Sequence, residues 1–241
     1  MKLNTLIASI ILSSTTFATV VPIDKKKYVY IVDQTTKCKV RNFNPLPNET
    51  IKYEGQCKNG YANGSGSLFW YQNGKFKQSA KGVFSNGVQH GSGTQKWSNG
   101  NHYTGFVAFG KLHGSGKLVY SDGSTLTGVW NNGEILQGTH TQQNGIIYTG
   151  QFRWDEYAGT GTMTWPSGQK YEGSFWRGRR TKGTLHYING EKYLGDFKRG
   201  LRDGLGKIIY TDGKYVECVF QKDKCSIFTG GTTYYRDSKR K

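Results

Sequence analysis

Tyr103-Thr104-Gly105-Phe106-Val107-Ala108-Phe109-Gly110-Lys111-Leu112-His113-Gly114-Ser115-Gly116-Lys117-Leu118-Val119-Tyr120-Ser121-Asp122-Gly123 is the stretch whose reading decides the fold. Tyr103, Gly105 and Val107 alternate down one strand, Phe109-Gly110 turns the chain, and Gly114, Gly116, Leu118 and Tyr120 alternate along a second strand. Asp122-Gly123 turns it again. Asn-Gly and Asp-Gly pairs favour turns with positive φ at both central residues, which match strand twist, so they are strong hairpin signals. They recur at Asn59-Gly60, Asn86-Gly87, Asn99-Gly100, Asn132-Gly133, Asn144-Gly145, Asn189-Gly190 and Asp212-Gly213. Outward from this stretch, Gly74, Gly100, Gly123, Gly145, Gly168, Gly190 and Gly213 return on a nearly constant beat. A second series, Gly60, Gly87, Gly110, Gly133, Gly178 and Gly200, keeps the same beat, with Asp155 and Asp223 standing in glycine slots. One hairpin unit is thus repeated about seven times, a repeat architecture. No apolar run at three and four residue spacing is long enough for a buried helix.

The period-two positions sort each unit into an inner and an outer face. Tyr148, Gly150, Phe152, Gly159, Gly161, Met163 and Trp165 form the inner set of one repeat; Tyr193, Gly195, Phe197, Gly204, Gly206, Ile208 and Tyr210 form it in another. Glycines opposite the rings let an aromatic lie on bare backbone, which is how a single sheet can bury a core. Each ring removes about 150–250 Å² from water, several kcal/mol at roughly 25 cal/mol per Å² before entropy is charged. One hairpin would not fold alone; stacked hairpins would.

The unit Y-x-G-x-F/W-x-x-G-x-x-x-G-x-G-x-x-x-Y/W-x-D/N-G, carried by Tyr171-Glu172-Gly173-Ser174-Phe175 and by Lys111 to Gly123, resembles the MORN repeat. The match runs from Tyr53 to about residue 215 as seven units, with a degenerate eighth from Val216 to Cys225. Ala80 and Leu126 replace the leading Tyr, and Gln137-Gly138 and Lys182-Gly183 keep one glycine of the G-x-G pair, so those two units lose a residue and should pair with an altered register. The resemblance implies an all-β, elongated antiparallel sheet of about seven hairpins serving attachment, membrane association or assembly, with catalysis left to other domains. None is evident beside the repeats, so the chain is expected not to be an enzyme.

Four segments are expected. Residues 1–18 read as a secretory signal, with Lys2, an apolar stretch from Leu6 to Leu12 and cleavage after Ala18. Its apolar core falls short of the ~20 residues a membrane span needs. Residues 19–52 read as a capping segment with strands over Lys25–Asp33 and Lys39–Phe43, placed to cover the open edge of the array. The array follows over 53–225, and 226–241 form a basic tail. The protein is therefore expected in a periplasmic or secreted setting, peripheral to a membrane. Its four cysteines suit that compartment, and their distribution favours local pairs, Cys38 with Cys57 and Cys218 with Cys225, as end staples. A metal site is not expected, since there is no Cys-x-x-Cys and no His close to these cysteines in sequence. Asn48 and Asn63 begin Asn-x-Ser/Thr triplets, acceptors for glycan only in a eukaryotic secretory pathway.

Charge is the second informative feature. The chain carries 33 Lys and Arg against 16 acids, +17 in all. Residues 55–121 are +7 without one acid, residues 122–169 are −3, and residues 170–241 are +9. Clustered cations favour anionic partners. Chemistry is otherwise scarce. His90 and His113 hold the same turn-proximal place in consecutive repeats, Gly114-Ser115-Gly116-Lys117 leads into a strand rather than a phosphate-binding helix, and no nucleophile elbow or carboxylate pair stands out. No cofactor is expected. On the outer face Val83, Phe106 and Val129 fall in one row beside Lys96 and Lys117, with Lys111 nearby, a candidate binding surface unless the N-terminal segment covers it. Two readings follow: an exported module that binds an anionic phospholipid, a polyanionic envelope component or an acidic protein; or a self-associating scaffold with incidental charge. Nucleic acid is the weaker partner, since no recognition fold for it is evident and export argues against it.

Overall fold

The computed structural model describes residues 29–226, so the expected leader, the first residues of the expected capping segment and the expected basic tail beyond Ser226 lie outside the described residues. Every regular element among the described residues is a strand. β1 (Val29–Val32) and β2 (Lys39–Asn42) form a short antiparallel pair. The meander then runs through β3 (Glu49–Lys58), β4 (Tyr61–Gln72), β5 (Lys75–Ser85), β6 (Val88–Trp97), β7 (His102–Ala108), β8 (Lys111–Val119), β9 (Thr125–Asn131) and β10 (Glu134–Thr141). It continues through β11 (Ile147–Arg153), β12 (Glu156–Thr164), β13 (Lys170–Trp176), β14 (Arg179–His186), β15 (Lys192–Lys198), β16 (Leu201–Ile209), β17 (Tyr215–Gln221) and β18 (Lys224–Ser226). Consecutive strands from β3 onward pair antiparallel in one open sheet.

Two kinds of turn close the two edges. On the tight-turn edge, the pairs at 59–60, 86–87, 109–110, 132–133, 154–155, 177–178, 199–200 and 222–223 all have positive φ at both residues, the hairpin geometry that follows strand twist. On the connecting edge the expectation fails. Asn99-Gly100, Asp122-Gly123, Asn144-Gly145, Asn189-Gly190 and Asp212-Gly213 have positive φ at the glycine alone. These connectors are longer, and the residue before the glycine is there for its side chain: Asp122 Oδ1 accepts the Ser124 amide at 2.8 Å, Asp212 Oδ1 that of Lys214 at 2.9 Å and Asn144 Oδ1 that of Ile146 at 3.1 Å. The longest interval in the beat, from Gly74 to Gly100, has its counterpart in β4 and β5, of 12 and 11 residues, which close instead on a tight Asn73-Gly74 turn.

The two glycines of G-x-G act differently. Gly114, with φ +54, belongs to a bulge in which three residues of β8, between Leu112 and Gly116, face one residue of β7. The second glycine clears room for a ring: a Cβ on Gly161 would lie 2.6 Å from Tyr148 Cε2. The two shortened units lack the first glycine, and their bulge shrinks to one extra residue, Leu136 in β10 and Thr181 in β14. Tyr103, Tyr148, Tyr171 and Tyr193 lie fully buried on the Gly-Gly rungs, and their hydroxyls donate to the carbonyls of Phe106, Gln151, Ser174 and Asp196 at 2.6–3.0 Å. Burial pushes all four phenols up to about 12. Trp130 meets Tyr103 edge to face, and Phe152, Phe175, Phe197 and Phe220 meet the other three rings the same way, so each repeat packs its aromatic against the next.

Hairpin tips also hold one another. The amides of Gly87, Gly110, Gly133, Gly178 and Asp223 donate to the carbonyls of Ala62, Gln89, Leu112, Tyr157 and Arg202 in the preceding hairpin. At the N-terminal end β2 continues that pattern, its Lys39 and Arg41 amides donating to Gly60 and Gly87. Cys38 and Val40 are buried with Ile51, Tyr53, Leu68, Trp70 and Phe84 in a separate N-terminal core. Asp33, 2 % exposed, caps the free side of β3 by accepting the Tyr53 amide at 2.7 Å, and also takes the Thr35 and Thr36 amides. Burial alone would raise its pKa; the amides it accepts outweigh that and hold it below the ordinary value. Cys38 faces Cys57 at a Cα separation of 5.7 Å and Cys218 faces Cys225 at 5.4 Å, both suited to a disulfide.

Candidate functional site

The outer face carries the residues singled out in the sequence. Val83, Phe106 and Val129 are exposed at 48, 37 and 37 % and occupy equivalent positions on β5, β7 and β9. They do not form the continuous apolar row expected, because Ser92 of β6 and Ser115 of β8 stand between them, paired with Phe106 and Val129, and Ser65 of β4 flanks Val83 on the other side. The described part of the N-terminal segment does not cover them: β2 packs on the tight-turn edge and the inner core. Lys96 pairs with Ser79 and His102, Lys117 with Thr104 and Thr127, and Lys111 with Ala108 beside a tight turn. The three lysines therefore sit at three heights of one face rather than in a cluster.

Their surroundings are more telling than their spacing. Lys58, Lys75, Lys77, Lys81, Lys96, Lys111 and Lys117 are all exposed. Among the described residues, ion pairs join Lys52 to Glu54 and otherwise start at Lys170, so these seven ammonium groups have no carboxylate partner. Across the centre the face is uncharged hydroxyl: Thr127, Thr139, Thr149 and Thr162 align across β9 to β12.

A second charged region was visible in the sequence only as a count. In the C-terminal repeats the tight-turn edge carries Arg177-Gly178, with Arg179 and Arg180 following, and Arg199-Gly200. Arg179, Arg180 and Arg199 line a shallow cleft of about 670 Å³ floored by Met163 and Trp165. Arg180 lies over the rings of Trp165, Tyr171 and Phe197 at 4.8–5.5 Å and donates to the Gly200 carbonyl at 2.8 Å. Burial lowers its pKa from the ordinary arginine value. Arg202 is tied to Asp223 at 3.1 Å. Beside the cleft Trp154 and Trp176 stand in solvent, 54 and 51 % exposed, with ring centroids 6.4 Å apart. The available signal was positional: Trp154, Arg177 and Arg199 occupy the slot that Asn59, Asn86 and Asn132 fill in other repeats.

No three His, Cys, Asp or Glu side chains among the described residues converge as metal ligands. Polar groups also converge around Tyr157, whose hydroxyl meets His140 Nδ1 at 2.8 Å and Gln142 Nε2 at 3.0 Å, while His140 Nε2 is buried without a hydrogen-bond partner among the described residues.

The MORN repeat model matches residues 53–75, 81–102, 103–125, 148–170 and 193–215. No curated protein matches the chain. Among solved structures, the TCP10 domain of Danio rerio CPAP in complex with a STIL peptide is similar, at 11 % identity and a TM-score of 0.40, covering 83 % of this chain and 97 % of that one. The SAS-4 TCP domain of Drosophila melanogaster, in complex with a proline-rich motif of Ana2, gives 15 % identity and a TM-score of 0.37 over 53 % of this chain and 72 % of that one.

Proposed function

Because this chain is a MORN-repeat protein, we propose that it works as a non-enzymatic, exported binding module whose basic sheet attaches to an anionic envelope or membrane component or to an acidic protein. One observation carries the reading: seven exposed lysines from Lys58 to Lys117 with no carboxylate in ion-pair reach among the described residues. A chain that kept lysine only for solubility could intersperse acids, as this one does after position 170. Export is supported by the leader-like segment 1–18 and by two cysteine pairs at disulfide separation, one at each end of the array. The segment 19–52 serves in this reading as the N-terminal cap, 53–225 as the binding array and 226–241 as a basic extension.

The test is sedimentation with anionic and neutral vesicles, and with soluble polyanions, at two salt concentrations. Binding should fall steeply with salt, since exposed charges are screened over roughly 10 Å at 0.1 M. Exchanging Lys96, Lys111 and Lys117 together for Glu should weaken it while the fold survives, because exposed charges contribute only about 0–1 kcal/mol each. Affinity indifferent to salt and to this reversal would remove the reading. A self-assembling scaffold is the second reading, favoured by the edge at β17, where among the described residues β18 pairs with Val219–Gln221 and no strand is described beside Tyr215–Cys218 on that side. Concentration-dependent association without ligand, followed by ultracentrifugation, would favour it.

A further inference from the structure

We propose that the chain seats edge-on upon an anionic bilayer, its tight-turn edge between β11 and β16 placing Trp154 and Trp176 at the headgroup boundary while Arg153, Arg177, Arg179 and Arg199 meet lipid phosphates. The proposal rests on the anionic-partner reading and narrows it to one partner and one surface. Of the six tryptophans, Trp70 and Trp130 are buried and Trp97 and Trp165 half-buried; Trp154 and Trp176 alone are exposed, and they are neighbours. Each has an arginine at its ring, Arg153 at 4.3 Å from Trp154 and Arg177 at 5.9 Å from Trp176. Arg179 and Arg199 are exposed beside them, with no carboxylate partner among the described residues. Tryptophan with an apolar body and one N–H suits a boundary that is dry on one side and wet on the other, and arginine suits phosphate.

Backbone strain is an independent indication. Trp154, Arg177 and Arg199 sit at φ 54, 48 and 53 in a slot where asparagine is easier, and Asp155 follows at φ 59 where other turns have glycine. Strained residues retained at a surface point to use of their side chains. The occupant is chosen by charge and by ring geometry. The two indoles are inclined at 71°, so they offer no coplanar platform for a glycan chain. A soluble polyanion would neutralise the arginines and leave both rings in water. A bilayer covers both. Asp155 and Glu156 lie within the patch, in the same hairpin tip as Arg153 and Trp154 with Glu156 opposite Arg153, so the excess positive charge comes from Arg177, Arg179 and Arg199.

Vesicles of phosphatidylglycerol and phosphatidylcholine, with brominated acyl chains as quenchers, test this on the purified chain. Binding should shift tryptophan emission to the blue and bromine should quench it. Trp154→Asn with Trp176→Thr should abolish both signals and weaken binding about tenfold, while Arg177, Arg179 and Arg199 exchanged for Gln should weaken it about a hundredfold at low salt. Circular dichroism confirms that each variant folds. Binding to anionic vesicles without blue shift or quenching, or unaffected by the arginine exchanges, overturns the edge-on seat and leaves the anionic-partner reading standing. Binding to dextran sulfate but not to vesicles does the same. Binding to neither overturns both.

Discussion

Along the connecting edge, side-chain oxygens of Asn99, Asp122, Asn144, Asn189 and Asp212 each accept the amide two positions on, and the slot varies little between repeats. Along the tight-turn edge the corresponding slot holds Asn59, Asn86, Phe109, Asn132, Trp154, Arg177, Arg199 and Lys222. Both edges close hairpins of one sheet, yet only the first uses its side chains to make the turn. At Gly87, Gly110, Gly133, Gly178 and Asp223 the second holds its turn by a backbone bond to the preceding hairpin, and nowhere among the described residues does the turn need an Asx acceptor, which frees the side chain to be aromatic or cationic at a cost in backbone strain. Variation therefore collects on the edge whose geometry does not depend on side-chain chemistry.

The largest expected effect tests what the two edges share, the tyrosine core strung between them. The folded pKa of Tyr103, Tyr148, Tyr171 and Tyr193 is raised to about 12 from an ordinary value of 10.0. Their contribution is therefore complete below pH 10 and is lost as pH climbs through 12, because the unfolded chain ionises first. Circular dichroism should show cooperative unfolding in that window, coincident with the phenolate absorbance; a sheet intact after the phenols have ionised would contradict this core. Next, Gly87→Ala should cost about 3 kcal/mol by urea denaturation, since φ is +81 and the new Cβ would lie 2.7 Å from the Lys39 carbonyl of β2. Gly133→Ala, with a similar φ of +97 but open space around it, should cost about 1–2 kcal/mol. Equal losses would mean that β2 does not press on the tight-turn edge.

Replacing Trp154-Asp155 by Asn-Gly sharpens the comparison from the other side. It should stabilise the fold by about 1–2 kcal/mol while reducing vesicle binding, because strain is relieved and an anchor removed. The smallest change is Asn144→Ala on the connecting edge, a loss of about 1 kcal/mol as the Ile146 amide gives up its acceptor. A stabilising outcome there would mean that the two edges obey one rule.

Most of the architecture was legible because the glycine beat and the Tyr-x-Gly alternation act locally: each hairpin can be read from its own single period. The distinction between the two edges was not, since Asn132-Gly133 and Asn144-Gly145 are the same dipeptide, and only connector length and the bond from Asn144 to Ile146 separate them. The outer row was legible as positions but not as a surface, because the pairing of Ser92 with Phe106 and of Ser115 with Val129 is set by the register between strands, which the alternation within one strand does not give. Trp154 and Trp176 lie a full period apart and become neighbours only when β11 to β14 are stacked, so no local pattern marks them as a pair.

The clasps of five hairpin tips on their predecessors all run in one direction along the chain, from Gly87 on Ala62 to Asp223 on Arg202. Under tension between its two ends, such a molecule would behave as a zipper rather than a block. Strands would peel from a terminus in sequence, each yielding repeat releasing roughly 80 Å of extended chain. The cysteine pairs sit at the two places where peeling would begin, Cys38 with Cys57 at the first hairpin and Cys218 with Cys225 at the last. Reduction would turn those ends into the weak teeth of the zipper, so a stretched, reduced chain should lengthen in regular steps from its termini inward.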